Sequence, residues 1–384
     1  MGAQDVELSL ARLLKHYAAL SPSSPTLIPT PPFLTATELS TSAAQQWLVD
    51  HLLPLDQSKQ DGARSWKKAF WRRVVDGIEV GFNERRARGD DAVEDEETHP
   101  DLLETMVDFL SSSSGAGAAP GVSRRIYYYG SIEKPVETWD RITTQEEGRL
   151  ISGGTTGLRT WQACVALSNH LLADPSLVRS HSRILELGAG VGLLSLVSAK
   201  VLGPGDNTRP ERGETTRIVA TDVDEKVLEM LEANIAENGL QERVLARSLD
   251  WELALDPQRA GSELDRWEAE VWGTKNQRAT LILGADIVYD PSLIGPLSAK
   301  LAYLLEPAQP VQDSCSSPSS EALIAGTVRN EETWELFLSA CRARRLHIER
   351  VELQRLMPEG SGIVGAEGWE GEGEVRLVRI IVQA

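Results

Sequence analysis

The stretch Arg183-Ile-Leu-Glu186-Leu-Gly188-Ala-Gly190-Val-Gly192-Leu193 constrains the chain more than any other. Arg183 to Leu187 is an apolar run of strand length, and Leu193 to Leu202 carries apolar residues at helical spacing behind the glycines. Strand, glycine loop and helix therefore follow one another. Glycines at such a turn let the backbone adopt angles that a Cβ would forbid and pass close to a ligand. A small molecule is expected there.

Spacing narrows its chemistry. A dinucleotide loop wants G-x-G-x-x-G, whereas Gly188, Gly190 and Gly192 form G-x-G-x-G, with Leu193 where the last glycine would fall. No G-x-x-x-x-G-K-[ST] phosphate loop is present at this turn. Glu186, just before the glycines, would repel a pyrophosphate and suits a ligand carrying an ammonium or a sulfonium. Glu-x-Gly-x-Gly-x-Gly resembles the first motif of the seven-β-strand methyltransferases, and the resemblance implies S-adenosylmethionine as the cofactor.

The remainder of the chain reads as two parts. Apolar residues at helical spacing recur through the first hundred residues: Leu8, Leu10, Leu13, Leu14 and Tyr17, then a stretch from Glu38 to Leu53. From Gly62 to Arg88, the stripe Trp66, Phe70, Trp71, Val74, Val75, Ile78 and Phe82 alternates with Lys67, Lys68, Arg72 and Arg73. An amphipathic helix with its basic residues facing water is expected, in preference to a recognition surface. An acidic run from Asp90 to Glu97 and a short helix from Leu102 to Leu110 follow. The Ser/Gly/Ala-rich segment 111–121 reads as a flexible linker, which sets off a helical N-terminal domain, 1–110, from a second domain, 122–384.

Arg125 to Tyr129 is a candidate strand that pairs locally. From Ser182 onward strands alternate with helices, as in a mostly parallel sheet covered on both faces. The expected strands are Arg183 to Leu187, Arg217 to Asp222, Val244 to Trp251, Ala279 to Ile287 and Ala322 to Val328, with a longer, partly irregular insertion from Glu252 to Arg278. His347 to Leu356 and Val375 to Val382 close the chain as a hairpin with no helix between them. The fold class is α/β: a Rossmann-like seven-strand methyltransferase sheet, mostly parallel with a C-terminal antiparallel hairpin, preceded by a small helical domain.

Ligands of open α/β sheets bind beyond the carboxyl ends of the strands, near the point where strand order reverses. Asp222 ends the second strand, where a carboxylate can accept ribose hydroxyls; Asp224 is better placed to cap the next helix. Asp250 can accept an adenine amino group, and Trp251 can flank the ring or pack as core. The fourth strand ends in Asp286-Ile-Val-Tyr289. This resembles the acid-x-x-aromatic signature of lysine-directed seven-strand methyltransferases. Together with Thr155-Thr-Gly157-Leu-Arg159-Thr-Trp161 and the helical extension, it makes the chain similar to the eukaryotic elongation factor 2 lysine methyltransferases, in a fungal form, from about Gly153 to the C-terminus. The departures are insertions at 205–215, 252–278, 307–320 and 358–373.

The resemblance implies transfer of a methyl group to a lysine of elongation factor 2. Catalytic work is expected of Asp286 and Tyr289; cofactor binding is expected of Trp161, Glu186, Gly188, Gly190, Gly192, Asp222, Asp250, Trp251 and Asp286. A small-molecule methyltransferase would share the cofactor residues but have little use for the helical domain or the Asp286 to Tyr289 signature. A non-catalytic S-adenosylmethionine-binding scaffold should have lost Asp286 or Tyr289.

Composition supplies the exclusions. The 384 residues hold 39 basic and 57 acidic side chains, a net charge of −18, which opposes binding to a phosphate backbone. No nucleic-acid partner is expected, and a basic protein surface suits the charge better. No apolar run is long enough to span a bilayer, and the N-terminus lacks a basic-then-apolar export signal, so a cytoplasmic location is expected. Met1-Gly2 is not followed by the Ser or Thr of a myristoylation signal, since Val6 stands there. Three scattered cysteines (Cys164, Cys315, Cys341) and six solitary histidines make no metal site, and a monomer is expected.

Overall fold

The protein is described here by a computed structural model, which covers residues 3–20, 34–56, 62–90, 93–94, 96–111, 121–147, 156–203, 216–255, 257–272, 279–306, 320–354, 360–364 and 373–382. Most of the expected linker, Gly153 to Thr155, Cys315 and much of the four insertions lie outside them. The chain divides into two compact units, Met1–Leu150 with Met357–Trp369, and Ile151–Leu356 with Glu370–Ala384.

The first unit contains α1 (Ala3–Ala18), α2 (Ala36–Leu39), α3 (Ser42–His51), α4 (Arg64–Ala87), α5 (Pro100–Ser111) and the hairpin β1 (Val122–Tyr129) and β2 (Asp140–Glu147). The aromatic stripe of α4 is core: Phe70, Trp71, Val74 and Ile78 are at most 1% exposed. Ile126, Tyr128 and Trp139 of the hairpin region belong to the same hydrophobic cluster as α1 and α4. Hence the hairpin groups with the helices, and the division between units falls at Leu150 instead of in the 111–121 segment.

One basic residue of α4 does not face water. Lys67 is buried and paired with Asp56 at 2.9 Å. Asp56 also accepts from Trp71 Nε1 at 2.8 Å and from the hydroxyl of Tyr17. The charge is therefore neutralised inside the core, while Arg72 stays largely exposed as expected.

The second unit is the sheet. Its strands are β3 (Arg183–Leu187), β4 (Arg217–Asp222), β5 (Val244–Ser248), β6 (Leu281–Ala285), β7 (Glu321–Val328), β8 (Leu346–Val351) and β9 (Glu374–Val382), in the order β5-β4-β3-β6-β7-β9-β8. The first five are parallel, and β9 runs antiparallel between β7 and β8. Strand order reverses between β3 and β6, which places the crevice at their carboxyl ends. The helices of this unit are α6 (Gln162–Ala173), α7 (Ser176–Arg179), α8 (Leu193–Leu202), α9 (Glu225–Glu237), α10 (Pro257–Trp272), α11 (Pro291–Leu305) and α12 (Glu331–Ala343). Asp224 caps α9 through the N–H groups of Lys226 and Val227, and Gly239 (φ 66°) follows the helix as a left-handed stop.

The insertion after β5 is more regular than its sequence suggests. Leu264, Val271 and Trp272 of α10 join the hydrophobic cluster of the sheet, with Leu297 and Leu301 of α11. Trp267 donates its Nε1 to the Ser248 carbonyl at 2.9 Å, fastening α10 to the end of β5. In the sequence, Leu264, Trp267, Val271 and Trp272 are interrupted by Glu263, Asp265, Glu268 and Glu270, which masks this apolar face. Among the described residues no helix is long and apolar enough to cross a membrane.

Candidate functional site

A cavity of about 670 Å³ opens at the carboxyl edge of the second unit's sheet. It is lined by Glu186, Gly188, Gly190, Asp222, Asp250, Trp251, Asp286 and Tyr289, with Trp161 from the start of α6. Each parallel strand from β3 to β6 thus ends in an expected residue at one cavity. Gly192 is the exception: it does not line the wall but caps α8.

The glycine loop is built as its spacing requires. Gly188, Gly190 and Gly192 have φ values of 62°, 55° and 92°, a region L side chains rarely enter. A Cβ on Gly190 would stand 2.9 Å from the Gly157 carbonyl oxygen. The upstream Gly157 segment therefore closes over the loop.

Asp222 connects two of these parts. Its carboxylate accepts from the Gly190 N–H at 3.2 Å, and from Val223 and Asp224 N–H at 2.8 and 3.2 Å. Burial raises its pKa while these bonds lower it. Three donors against about four acceptor positions leave room for a ribose hydroxyl. Asp250 lies two residues beyond the shortened β5, not on it, and its Oδ1 accepts from Glu252 N–H at 2.8 Å. Trp251 stands beside Gly188, 3.5 Å from where a Cβ would be, and packs partly against the core. A flat apolar wall therefore faces the glycine loop.

Glu186 is 1% exposed and accepts a short hydrogen bond from Ser195. Burial pushes its carboxyl up to about 8, with Asp222 adding in the same direction and Ser195 opposing. At neutral pH it is mostly protonated, so the anion inferred from sequence requires a positive partner to form.

Asp286 sits at φ 54°, an unusual backbone angle for a residue with a side chain. Its Oδ1 accepts from Thr327 N–H at 2.8 Å, and its Oδ2 from Ala163 N–H at 2.7 Å and Thr327 Oγ1 at 3.2 Å. The carboxylate pins the start of α6 and the end of β7 to the end of β6. These bonds order the loop that follows β6. Tyr289 is 54% exposed at the cavity, free of such duties in its placement. Next to it, Asp290 caps α11 through Ser292, whose bonds hold that carboxyl below its usual range.

Two residues at this edge were not singled out as ligands from sequence. The guanidinium carbons of Arg159 and Arg329 lie 5.1 and 5.3 Å from the centroid of the Trp161 ring, whose Nε1 donates to the Thr156 carbonyl at 3.0 Å. Arg329 immediately follows β7, so the rule that strand ends carry ligands could have flagged it. Arg159 carried no signal beyond the quoted motif. Cys164 lines the cavity and Cys341 is buried; no group of metal-ligating side chains occurs among the described residues.

The residues fit S-adenosylmethionine: a close-approach glycine loop, a carboxylate with acceptor positions left for a ribose hydroxyl, an acid and an indole of the kind that can meet an adenine, and a buried acid able to answer a positive charge. The comparisons agree. A lysine methyltransferase family model matches residues 140–317. Protein-lysine N-methyltransferase EFM3 of Chaetomium thermophilum is 35% identical over 68% of this chain and 71% of its own length. Protein-lysine N-methyltransferase EEF2KMT of Homo sapiens is 29% identical over 56% of this chain and 60% of its own. EFM3 of Saccharomyces cerevisiae is 28% identical over 52% and 53%. An O-methyltransferase from Bacillus cereus solved with SAH overlays 56% of this chain and 80% of its own at 15% identity and a TM-score of 0.33, too low to add weight. The chain belongs to the S-adenosylmethionine-dependent protein-lysine N-methyltransferases.

Proposed function

We propose that the protein methylates a lysine of translation elongation factor 2. The support is the Asp286-x-x-Tyr289 signature standing at the cavity edge, together with human and bovine relatives named EEF2KMT, a label that points to that factor. A small-molecule acceptor has no such support.

The site's residues divide the work. Gly188, Gly190, Asp222, Asp250 and Trp251 hold the donor, and Trp161 borders it from α6. When bound, S-adenosylmethionine supplies an electrophilic methyl on a sulfonium. The acceptor amine must arrive neutral, although a free lysine with a pKa of about 10.4 is almost wholly protonated near pH 7. Tyr289 lies where it can orient the amine, and the acceptor protein, on covering this half-exposed side chain, would exclude water there and disfavour the ammonium. Asp286 keeps Tyr289's loop in place. Positioning and desolvation can supply much of the rate, so no strong general base is needed.

The reading is tested by incubating the purified chain with methyl-labelled S-adenosylmethionine and a cell extract. Label is expected in the band of elongation factor 2, on a lysine. Label confined to other proteins would overturn the substrate assignment without touching the reaction class.

A further inference from the structure

The cavity is lined by seven carboxyl side chains, Glu186 and Asp222 among them, and among the described residues by a single basic one, Arg159. S-adenosylmethionine carries a carboxylate beside its ammonium and sulfonium groups. An anion entering so acidic a wall is repelled unless a cation meets it.

Strand order says where that carboxylate falls. Asp250 and Trp251 follow β5, Asp222 ends β4, and β3 and β6 come next in the sheet. In the donor the ribose stands between the adenine and the sulfonium. With the base at β5 and the ribose at β4, the amino-acid end therefore extends towards β3 and β6. Part of the wall there is the segment before α6. A Cβ on Gly190, just after β3, would stand 2.9 Å from its Gly157 carbonyl oxygen, and its Ala163 N–H donates to Asp286, just after β6, at 2.7 Å. Arg159 lies in the chain between these two fixed points and lines the cavity. Its guanidinium stands over the Trp161 ring, 5.1 Å from the centroid, and that ring is held by the bond from its Nε1 to the Thr156 carbonyl. A guanidinium over a ring uses its face there, while its N–H donors point outward in its own plane, the geometry that takes a carboxylate bidentately.

We propose that Arg159 seats the carboxylate of the methyl donor and so selects S-adenosylmethionine over donors that lack this group. The proposal rests on the reading of Asp222, Asp250 and Trp251 as the ribose and adenine sites. Methyl transfer leaves the carboxylate untouched, so the contact holds donor and product alike and acts on donor affinity, not on the chemical step.

Decarboxylated S-adenosylmethionine, which keeps the sulfonium, the methyl and the amino group, is the probe. Calorimetry compares it with S-adenosylmethionine on the full chain and on Arg159→Gln. The wild-type chain is expected to bind S-adenosylmethionine about tenfold more tightly, although the acidic wall by itself favours the more positive analogue. In Arg159→Gln, S-adenosylmethionine should lose about that factor while the analogue changes little, and turnover at saturating donor should stay near wild type. Equal losses for both ligands, or none for either, would overturn the proposal. So would equal affinity of the wild-type chain for the two, a comparison that needs no folded variant. Asp222→Asn separates this from the underlying reading: unchanged S-adenosylmethionine affinity there would remove the ribose site and the proposal with it. A weakened Asp222→Asn beside an unaffected Arg159→Gln would overturn the role of Arg159 alone.

Discussion

Glu186 carries a proton in the folded chain that it would lose in the unfolded one, because burial takes its carboxyl from 4.5 to about 8. The folded state therefore binds more protons across that window, and the contribution of this group to stability falls as pH rises from about 4.5 towards about 8. Glu186→Gln should flatten that part of the stability profile. A cationic donor beside the carboxyl favours its ionised form, so binding near pH 7 is expected to release a fraction of a proton. Calorimetry in two buffers of different ionisation enthalpy reads this directly; a buffer-independent enthalpy would contradict it. Asp286 and Tyr289, equivalent in sequence, should separate by experiment. Asp286→Ala orphans the N–H groups of Ala163 and Thr327, at about 1–3 kcal/mol for each buried group left unsatisfied, so it should lower the melting temperature as well as turnover. Tyr289→Ala, at a half-exposed position, should cut methyl transfer at least tenfold while melting and donor affinity stay close to wild type.

Secondary elements were legible where one principle dominated. The spacing of the glycines required backbone angles that only glycine adopts freely, and strands β3, β4 and β7 lie within a residue of their expected bounds. Strand ends were read too long at β5 and β6, because Leu249 and Ile287 are buried and continue the apolar run after the ladder has stopped. The helix α10 and the pair of Lys67 with Asp56 escaped for another reason: both depend on partners remote in sequence, which periodicity cannot supply. The α4 case is testable. Lys67→Glu would set two carboxylates together in a buried position, and breaking such a pair costs roughly 3–5 kcal/mol. A steep fall in the melting temperature is expected, whereas Arg72→Glu, on the exposed side, should leave it unchanged. Equal melting of the two variants would refute the buried pair.

Connectivity limits how the two units can be separated. The chain passes between them after residues 150, 356 and 369, so a deletion of 1–120 removes the helices but leaves the hairpin of the same unit behind. Ile126, Tyr128 and Trp139 would lose their cluster, and the carbonyls of Gly130, Gly360 and Gly362 would lose the ammonium of Lys15, which binds them at 3.3, 2.8 and 3.1 Å. The truncated chain is expected to aggregate or bind hydrophobic dyes. Any part of this unit in methyl transfer is better probed with surface changes such as Arg72→Glu. Its acidic segment is also partly committed, since Arg85 binds Asp90 at 2.8 Å and Glu96 at 2.5 Å.

The glycine loop of the second unit carries the central claim, that the cavity at the carboxyl edge of the sheet is where the methyl donor binds. Gly190→Arg places a side chain where the Gly157 carbonyl already leaves only 2.9 Å for a Cβ, in the space the donor needs. Calorimetry with S-adenosylmethionine, paired with circular dichroism of the same samples, is the direct measurement. The account predicts a single site in the wild-type chain and none in Gly190→Arg, with the dichroism spectrum unchanged. Unaltered affinity in a folded Gly190→Arg protein would contradict it.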